Sequence, residues 1–140
     1  GALFHDTPEG NKDRGAAYVF KEDSIGVWNF IQKIQVADLS SGSPGNTYGD
    51  YFGRLLSMDG NSLLIGAHYE DHSPLLNDRG AVYYFEWEGT VFVLKKKFIS
   101  PDQQLNEYFG SGCTISGETI MIGASGRNNN TGAVYFIKKN

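Results

Sequence analysis

The sequence predicts an all-β fold built from short strands joined by tight turns. The 140-residue chain holds 18 glycines but only four prolines, a composition typical of proteins with many tight turns. Hydrophobic residues make up 40% of the chain and aromatic residues 14%, which is enough for a packed core. No segment has the 3.6-residue apolar period of an amphipathic helix, and no apolar run reaches the roughly 18 residues that span a bilayer.

An internal repeat supports this prediction. Three motifs recur in the same order: a Phe-Gly pair, a Gly-Ala pair and a Gly-Ala-x-Tyr motif. The Phe-Gly and Gly-Ala pairs each recur after 57 residues, and 13 residues separate the two glycines in both copies. The motifs therefore belong to one repeating structural unit. They lie at Phe52-Gly53 and Phe109-Gly110, at Gly66-Ala67 and Gly123-Ala124, and at Gly15, Gly80 and Gly132 with the residues that follow.

Two full repeats and the tail of another account for the chain. We assign residues 1–20 to the tail, 21–88 to the first full repeat and 89–140 to the second, all within one propeller-type domain or fragment. Gly1-Ala2 would correspond to Gly66-Ala67, although a remnant of an expression tag could also supply a leading Gly-Ala pair. The chain is therefore expected to be cut from a longer one or to assemble with other copies.

Each repeat is expected to hold four short strands. Strand patterns and turn signals separate them, with a two-residue hairpin at Asp59-Gly60 and its counterpart at Ser116-Gly117. Four strands in about 50–60 residues is the pattern of a propeller blade, a four-stranded antiparallel sheet that buries both faces against its neighbours. About two full blades and a partial one are predicted. The expected strands are 27–36, 53–58, 61–67 and 80–85, with 132–137 in the second repeat.

These motifs resemble those of the FG-GAP repeat family, whose repeats form the propeller of integrin α subunits and of many bacterial surface proteins. The resemblance implies a β-propeller and covers nearly the whole chain. The third residue of the family's Gly-Ala-Pro motif differs here, being Leu3, His68 or Ser125. The matching residues are Trp28, Gln32-Lys33, Phe52-Gly53, Gly66-Ala67 and the segment from Gly80 to Phe85.

Calcium is not expected to bind in the way the integrin-type repeats bind it. Those repeats often carry an Asp-x-Asp-x-Asp-Gly loop at the hairpin before Gly-Ala-Pro. Here the hairpins are only Met58-Asp59-Gly60-Asn61 and Ser116-Gly117-Glu118, and neither supplies the six to eight oxygen ligands that calcium takes. The repeats therefore resemble a bacterial variety, and no metal or other cofactor is predicted.

One loop collects the most ionisable groups. It runs over residues 68–72 and on to 77–79, and its histidines and carboxylates would suit a transition metal. The favoured interpretation is a solvated loop that connects two strands. The triplet Asp78-Arg79-Gly80 also occurs as Asp13-Arg14-Gly15, and this repetition favours a structural role.

Three other features have a functional and a structural interpretation. Asn129 begins an Asn-x-Thr sequon, which is a candidate glycosylation site. The run Lys95-Lys96-Lys97 is interpreted as the protected edge of a sheet, with phosphate or acidic-glycan binding as the alternative. Cys113 is expected to be a buried, inert thiol.

The predicted function is a non-catalytic module for protein or glycan binding or adhesion, extracellular or at a cell surface. No catalytic triad, zinc spacing, P-loop or dinucleotide fingerprint is present, so no enzyme activity is predicted. The net charge of −4 does not favour nucleic acid as a partner, and no membrane insertion is expected. The alternative is a self-assembling structural subunit, whose strand at 15–20 pairs with a neighbouring chain. An accessory domain of an enzyme ranks third.

Overall fold

The chain folds into three antiparallel sheets. A computed structural model describes residues 1–2, 4, 14–37, 49–71 and 78–139. The all-β prediction is confirmed, and within these residues the longest helix is the single turn α1 (Arg127–Asn130). The first sheet pairs β1 (Ala17–Glu22) with β2 (Trp28–Ile34). The second has the order β3 (Leu55–Asp59), β4 (Ser62–Ala67), β5 (Ala81–Trp87) and β6 (Phe92–Phe98). The third has the order β7 (Phe109–Ser116), β8 (Thr119–Ala124) and β9 (Ala133–Lys138).

The sheets are out of phase with the sequence repeats by one strand. Each repeat contributes four strands, β2 to β5 and β6 to β9, but the second sheet takes its fourth strand, β6, from the next repeat. Likewise β2 pairs with β1 and not with the other strands of its own repeat, and Ile34 lies opposite Ala17. The expected pairing of 15–20 with another chain is thus wrong along this edge, because β2 of the same chain occupies it. The offset links consecutive repeats through main-chain hydrogen bonds.

The two predicted hairpins form, but each lies one residue later than expected. Asp59 is still paired with Ser62, so the two turn residues are Gly60 and Asn61. Ser116 is paired with Thr119 in the same way. In both turns glycine takes the first central position with positive φ, 56° at Gly60 and 54° at Gly117. This conformation is far cheaper for glycine than for the preceding Asp or Ser.

The core lies in the two joints between sheets. One apolar cluster joins the first and second sheets and contains Phe52, Tyr83 and Phe85. A second joins the second and third sheets and contains Leu64, Phe109 and Ile122. Strand β4 is buried along its whole length, as predicted for a strand covered on both faces, because it sits between the two clusters.

The Phe-Gly pairs occupy equivalent places in the two joints. Phe52 and Phe109 are both 0% exposed. Phe52 meets Tyr83 edge-to-face at 5.4 Å between ring centroids, and Phe109 meets Tyr135 at 5.2 Å. The amide of Phe52 donates to the carbonyl of Arg14 at 3.1 Å, and that of Phe109 donates to the carbonyl of Arg79 at 2.8 Å. Each joint therefore combines a buried ring with a main-chain hydrogen bond.

Glycine is required where the main chains of neighbouring sheets meet. Gly15 and Gly80 have φ of 84° and 80°. A Cβ atom would lie 2.0 Å from the Phe52 oxygen at Gly15 and 2.1 Å from the Phe109 oxygen at Gly80. The leading Gly1-Ala2 pair behaves as its internal counterparts do, because Ala2 and Ala16 exchange hydrogen bonds of 2.8 and 3.0 Å, as Ala67 pairs with Ala81.

Outer strands are joined by side chains. The Gln32 amide donates to the Phe92 carbonyl at 3.0 Å and accepts from the Phe92 amide at 2.8 Å, which fastens β2 to β6. The lysine run is confirmed as part of an edge strand, since β6 ends the order of the second sheet. Lys95 is paired with Glu88, and Lys97 with Glu70 at 2.8 Å.

We expect Gly80→Ala to destabilise the fold far more than Gly89→Ala. Both glycines have positive φ, 80° and 87°, so each alanine costs about 1 kcal/mol of backbone strain. A Cβ at Gly89 meets nothing within 4 Å, whereas one at Gly80 collides with the main chain of Phe109. The collision should add roughly 1–3 kcal/mol. Urea unfolding of both variants measures the difference, and equal costs would show that the joint tolerates the added atom.

Candidate functional site

Connections of different length emerge at the two ends of the sheets. At one end the strands are joined by the short turns 23–27, 60–61, 88–91 and 117–118, and we call this the turn end. Neighbouring turns touch there, since the Gly117 amide donates to Asp59 Oδ2 at 2.6 Å. The opposite end, here called the loop end, comprises residues 4, 14–16, 35–37, 49–54, 68–71, 78–80, 99–108 and 125–132 among those described. It carries the more varied side chains.

A row of aromatic rings crosses the loop end. Phe4 packs edge-to-face on Tyr51 at 5.4 Å, Tyr51 on Tyr69 at 5.1 Å, and Tyr69 on Tyr108 at 5.3 Å. Tyr51 and Tyr108 both adopt a left-handed backbone, with φ of 54° and 55°. Both tyrosines recur in the sequence directly before a Phe-Gly pair, but no functional role was predicted for them. Their recurrence was the signal that could have revealed them.

The ionisable loop after β4 is partly buried. His68 is only 5% exposed and Glu70 only 2%, so the prediction of a solvated loop is wrong for both residues. The buried Glu70 is paired with Lys97, on strand β6 of the same sheet, at 2.8 Å. His72 lies outside the described residues. No group of three or more His, Cys, Asp or Glu side chains within the described parts of the chain is placed to hold a metal ion.

The buried His68 pairs with Arg54, which is exposed. Arg54 Nη1 lies 2.8 Å from His68 Nε2, and because a guanidinium only donates, Nε2 accepts and the ring proton resides on Nδ1. Burial, followed by the positive charge of Arg54, lowers the pKa of His68 to about 4. The imidazole is therefore neutral near pH 7, and the pair carries a single positive charge.

A second buried polar cluster surrounds Glu107. Its Oε1 accepts from Ser100 at 2.8 Å, from Tyr135 at 2.6 Å and from Arg127 at 2.8 Å. Its Oε2 accepts from the main-chain N–H of Gln104 at 3.1 Å. Burial alone would raise the pKa of Glu107, but the hydrogen bonds outweigh it and lower the pKa. The carboxylate therefore stays ionised and ties the loop before β7 to the turn before β9.

Arg127 holds the turn before β9 in place. Besides Glu107 it pairs with Asp102 and bonds to the Tyr135 hydroxyl, and its guanidinium lies 5.5 Å from the centre of the Tyr135 ring. Sequence reasoning missed this cluster. One signal was available in the sequence, because an acidic residue, Asp50 or Glu107, precedes each Tyr-Phe-Gly motif. Both residues are buried in the structure.

An open groove lies between the loop before β7 and the turn before β9, and we call it the amide groove. It has a volume of about 580 Å³. Asn128, Asn129 and Asn130 have left-handed φ of 50°, 56° and 67°. The sequon residue Asn129 is exposed on the wall of this groove. The groove is lined by Gln104, Leu105, Asn106, Tyr108, Gly126, Asn128, Asn129 and Asn130.

The remaining sequence-selected residues lie away from the groove. The repeat motifs build the joints between sheets, apart from Gly123 and Gly132 on the third sheet. Cys113, on β7, is partly buried and has its pKa raised to about 11 by burial. The Asp-Arg-Gly triplet is held locally, since the Asp78 amide donates to Asp71 Oδ1 at 2.7 Å and Arg79 donates to Gln103 at 3.1 Å. Asp13 falls outside the described residues.

We expect His68 to make the fold less stable as the pH becomes mildly acidic. Its folded pKa, about 4, lies below its ordinary value of 6.5. As the pH falls below 6.5 the unfolded chain takes up a proton that the folded chain refuses, so stability is lost. From about pH 7.5 to 5 the loss should be about 2 kcal/mol.

The control is His68→Gln, whose amide oxygen can still accept from Arg54. Urea unfolding at the two pH values should show a smaller loss for the variant by about that amount, because the shared titration of carboxylates cancels in the comparison. An identical pH dependence in the two proteins would contradict the assignment of a buried neutral imidazole.

Comparison with known proteins agrees with the repeated architecture. A family model described as FG-GAP repeat matches residues 28–85 and 92–137. The two matched segments run from β2 to β5 and from β6 to β9, which are the four-strand units described above. No curated protein matches the chain. Among the described residues, no helix has the length and apolar character needed to cross a membrane.

Proposed function

Because the chain belongs to the FG-GAP repeat family, we propose that it is a non-catalytic binding module that recognises protein or glycan in a secreted or cell-surface protein. FG-GAP repeats are typical of β-propeller modules often involved in binding or adhesion, and they occur in extracellular or surface proteins. The loop end is the proposed recognition surface.

The difference between the two ends of the sheets carries this proposal. The turn end has turns of two to five residues, which offer little variable surface. The loop end brings together the aromatic row and the amide groove on segments that start and finish at paired residues, such as Ala67 with Ala81 and Ala124 with Ala133. Recognition residues on loops held by a rigid scaffold are the common arrangement in binding proteins.

The state of the ionisable groups supports a role without catalysis. Glu107 is held by four hydrogen-bond donors, and Glu70 is paired with Lys97. His68 is buried against Arg54 with a lowered pKa, which makes it a poor general base near neutral pH. Burial raises the pKa of Cys113 to about 11, so little thiolate forms near neutral pH. These described groups are hydrogen-bonded, paired or buried within the fold.

The proposal is tested by probing an array of neutral, sulfated and sialylated glycans and extracellular-matrix proteins with the fluorescently labelled full chain. We expect binding to at least one class of probe. Combining Tyr69→Ala, Leu105→Ala and Asn128→Gly at the loop end should weaken it at least about tenfold. Asn61→Ala with Glu118→Ala at the turn end is the matched control and should leave it unchanged. Binding to nothing, or equal losses in both variants, would overturn the proposal.

Self-assembly is a second candidate, and the two outer sheet faces favour it. Val134 and Phe136 are 60% and 73% exposed on the third sheet, whereas their counterparts in the second sheet, Val82 and Tyr84, are buried against the third. On the first sheet Tyr18 and Phe20 are exposed, although their counterparts Tyr83 and Phe85 are buried. One chain thus presents the two complementary halves of its own internal joint.

Copies that pack head to tail would repeat this joint between chains. Light scattering coupled to gel filtration should then show concentration-dependent oligomers, and Phe136→Lys should reduce them because it places a charge in the apolar contact. The control is Met58→Lys, which alters a comparably exposed apolar residue on β3, close to the turn end. A wild-type chain that stays monomeric at high concentration would rule out assembly.

A further inference from the structure

We propose that the amide groove binds a neutral carbohydrate, an inference that rests on the binding function proposed above and assigns it a ligand class. Five of the eight residues that line the groove carry side-chain amides, and none of the eight carries a charge. The volume of about 580 Å³ falls in the range of small-molecule sites, which is roughly 300–1,000 Å³.

The lining chemistry matches a polyhydroxylated ligand. Every Asn or Gln amide offers both donors and an acceptor, as each sugar hydroxyl does, so the two groups can satisfy each other in either direction. Leu105 and Tyr108 supply the apolar side chains of the lining, and Tyr69 contacts the Tyr108 ring edge-to-face at 5.3 Å. An anion or cation would find no opposite charge among the lining residues, and a neutral ligand needs none.

The groove wall is held rigidly while its amides stay exposed. The Gly126 amide donates to the Glu107 carbonyl at 3.1 Å, and the Asn130 amide to the Gly126 carbonyl at 3.2 Å. Arg127 anchors the same turn through Glu107 and Asp102. Asn128, Asn129 and Asn130 are themselves exposed. A preformed wall lowers the entropic cost of binding, and Arg127 is a positioning residue in this scheme.

The fold does not require these amides. The residues 57 positions before Gln104 and Asn106 are Thr47 and Gly49 in the first repeat. The segment from His68 to Arg79 holds one asparagine, whereas Ser125 to Thr131 holds three. Left-handed φ at 128 to 130 would be met at lower cost by glycine. The amides thus belong to the second repeat and converge on one groove.

The test uses the full chain made in bacteria, because a glycan attached to Asn129 in another host would occupy the groove. Amide NMR spectra are recorded during titration with maltotriose, cellotriose or chitotriose, and with 3′-sialyllactose as the acidic comparison. At least one neutral trisaccharide should shift the resonances of 104–108 and 126–130 with a Kd of about 1 mM. The sialylated sugar should bind no more tightly than the neutral one.

The variant Asn128→Gly with Asn129→Gly removes two amides while it permits the left-handed backbone, and its affinity should fall at least about tenfold. Asn61→Ala, an exposed asparagine at the turn end, is the matched control and should bind as wild type does. A well-dispersed spectrum shows that each variant is folded.

Absence of any shift in the groove up to ~20 mM neutral sugar, a range that covers very weak complexes, would overturn the proposal. Unchanged affinity in the glycine variant would also overturn it, as would stronger binding of the sialylated sugar in the groove. The array experiment tests the binding function separately. A probe that binds the loop end outside the groove would support that function even if the groove binds no sugar.

Discussion

The structure depends on one contact, the close approach of a Phe-Gly main chain to the glycine that begins the Gly-Ala-x-Tyr motif of the preceding sheet. The Phe109 amide reaches the Arg79 carbonyl at 2.8 Å only because Gly80 leaves room for the Phe109 oxygen. Because the two main chains lie this close, the Phe109 ring lies in the core that both sheets form. An isolated sheet would leave its apolar faces open, and this joint buries one face of each of the two sheets that it connects.

The same joint explains why the two ends of the sheets differ. The chain must travel from the outer strand of one sheet to the Phe-Gly pair of the next, so the connection 99–108 crosses the loop end before β7 begins. Hairpin partners need only two residues to turn, as Gly60 and Asn61 do. The geometry that stacks the sheets therefore also places the longer, more variable segments at one end, where Tyr51, Tyr69 and Tyr108 form a row.

The fold was predictable because its requirements are local and repeated. Phe52 and Gly66 both recur after 57 residues and Gly80 recurs in the same order, since each joint imposes the same steric demands. The phase of the sheets was not predictable in this way, because the pairing of β6 with β5 depends on contacts across a repeat boundary. The candidate site was the hardest part to predict, because Arg127 and Tyr135 lie 20 and 28 residues from Glu107 in the sequence and only folding shows that the three share one cluster.

Charge compensation at the loop end shapes what this surface can recognise. Arg127 pairs with Glu107 and Asp102, and Lys97 pairs with Glu70, whereas Arg54 lies against the neutral ring of His68 and keeps its positive charge. Ion pairs made within the fold cannot also bind a charged ligand without leaving a partner unpaired, which is costly for a buried group such as Glu107 or Glu70. The amide groove is lined by the amides of 104, 106 and 128–130 together with Leu105, Tyr108 and Gly126, and none of these residues carries a charge. A surface of this kind selects its ligand by shape and by hydrogen bonds, and its affinity should change little with ionic strength.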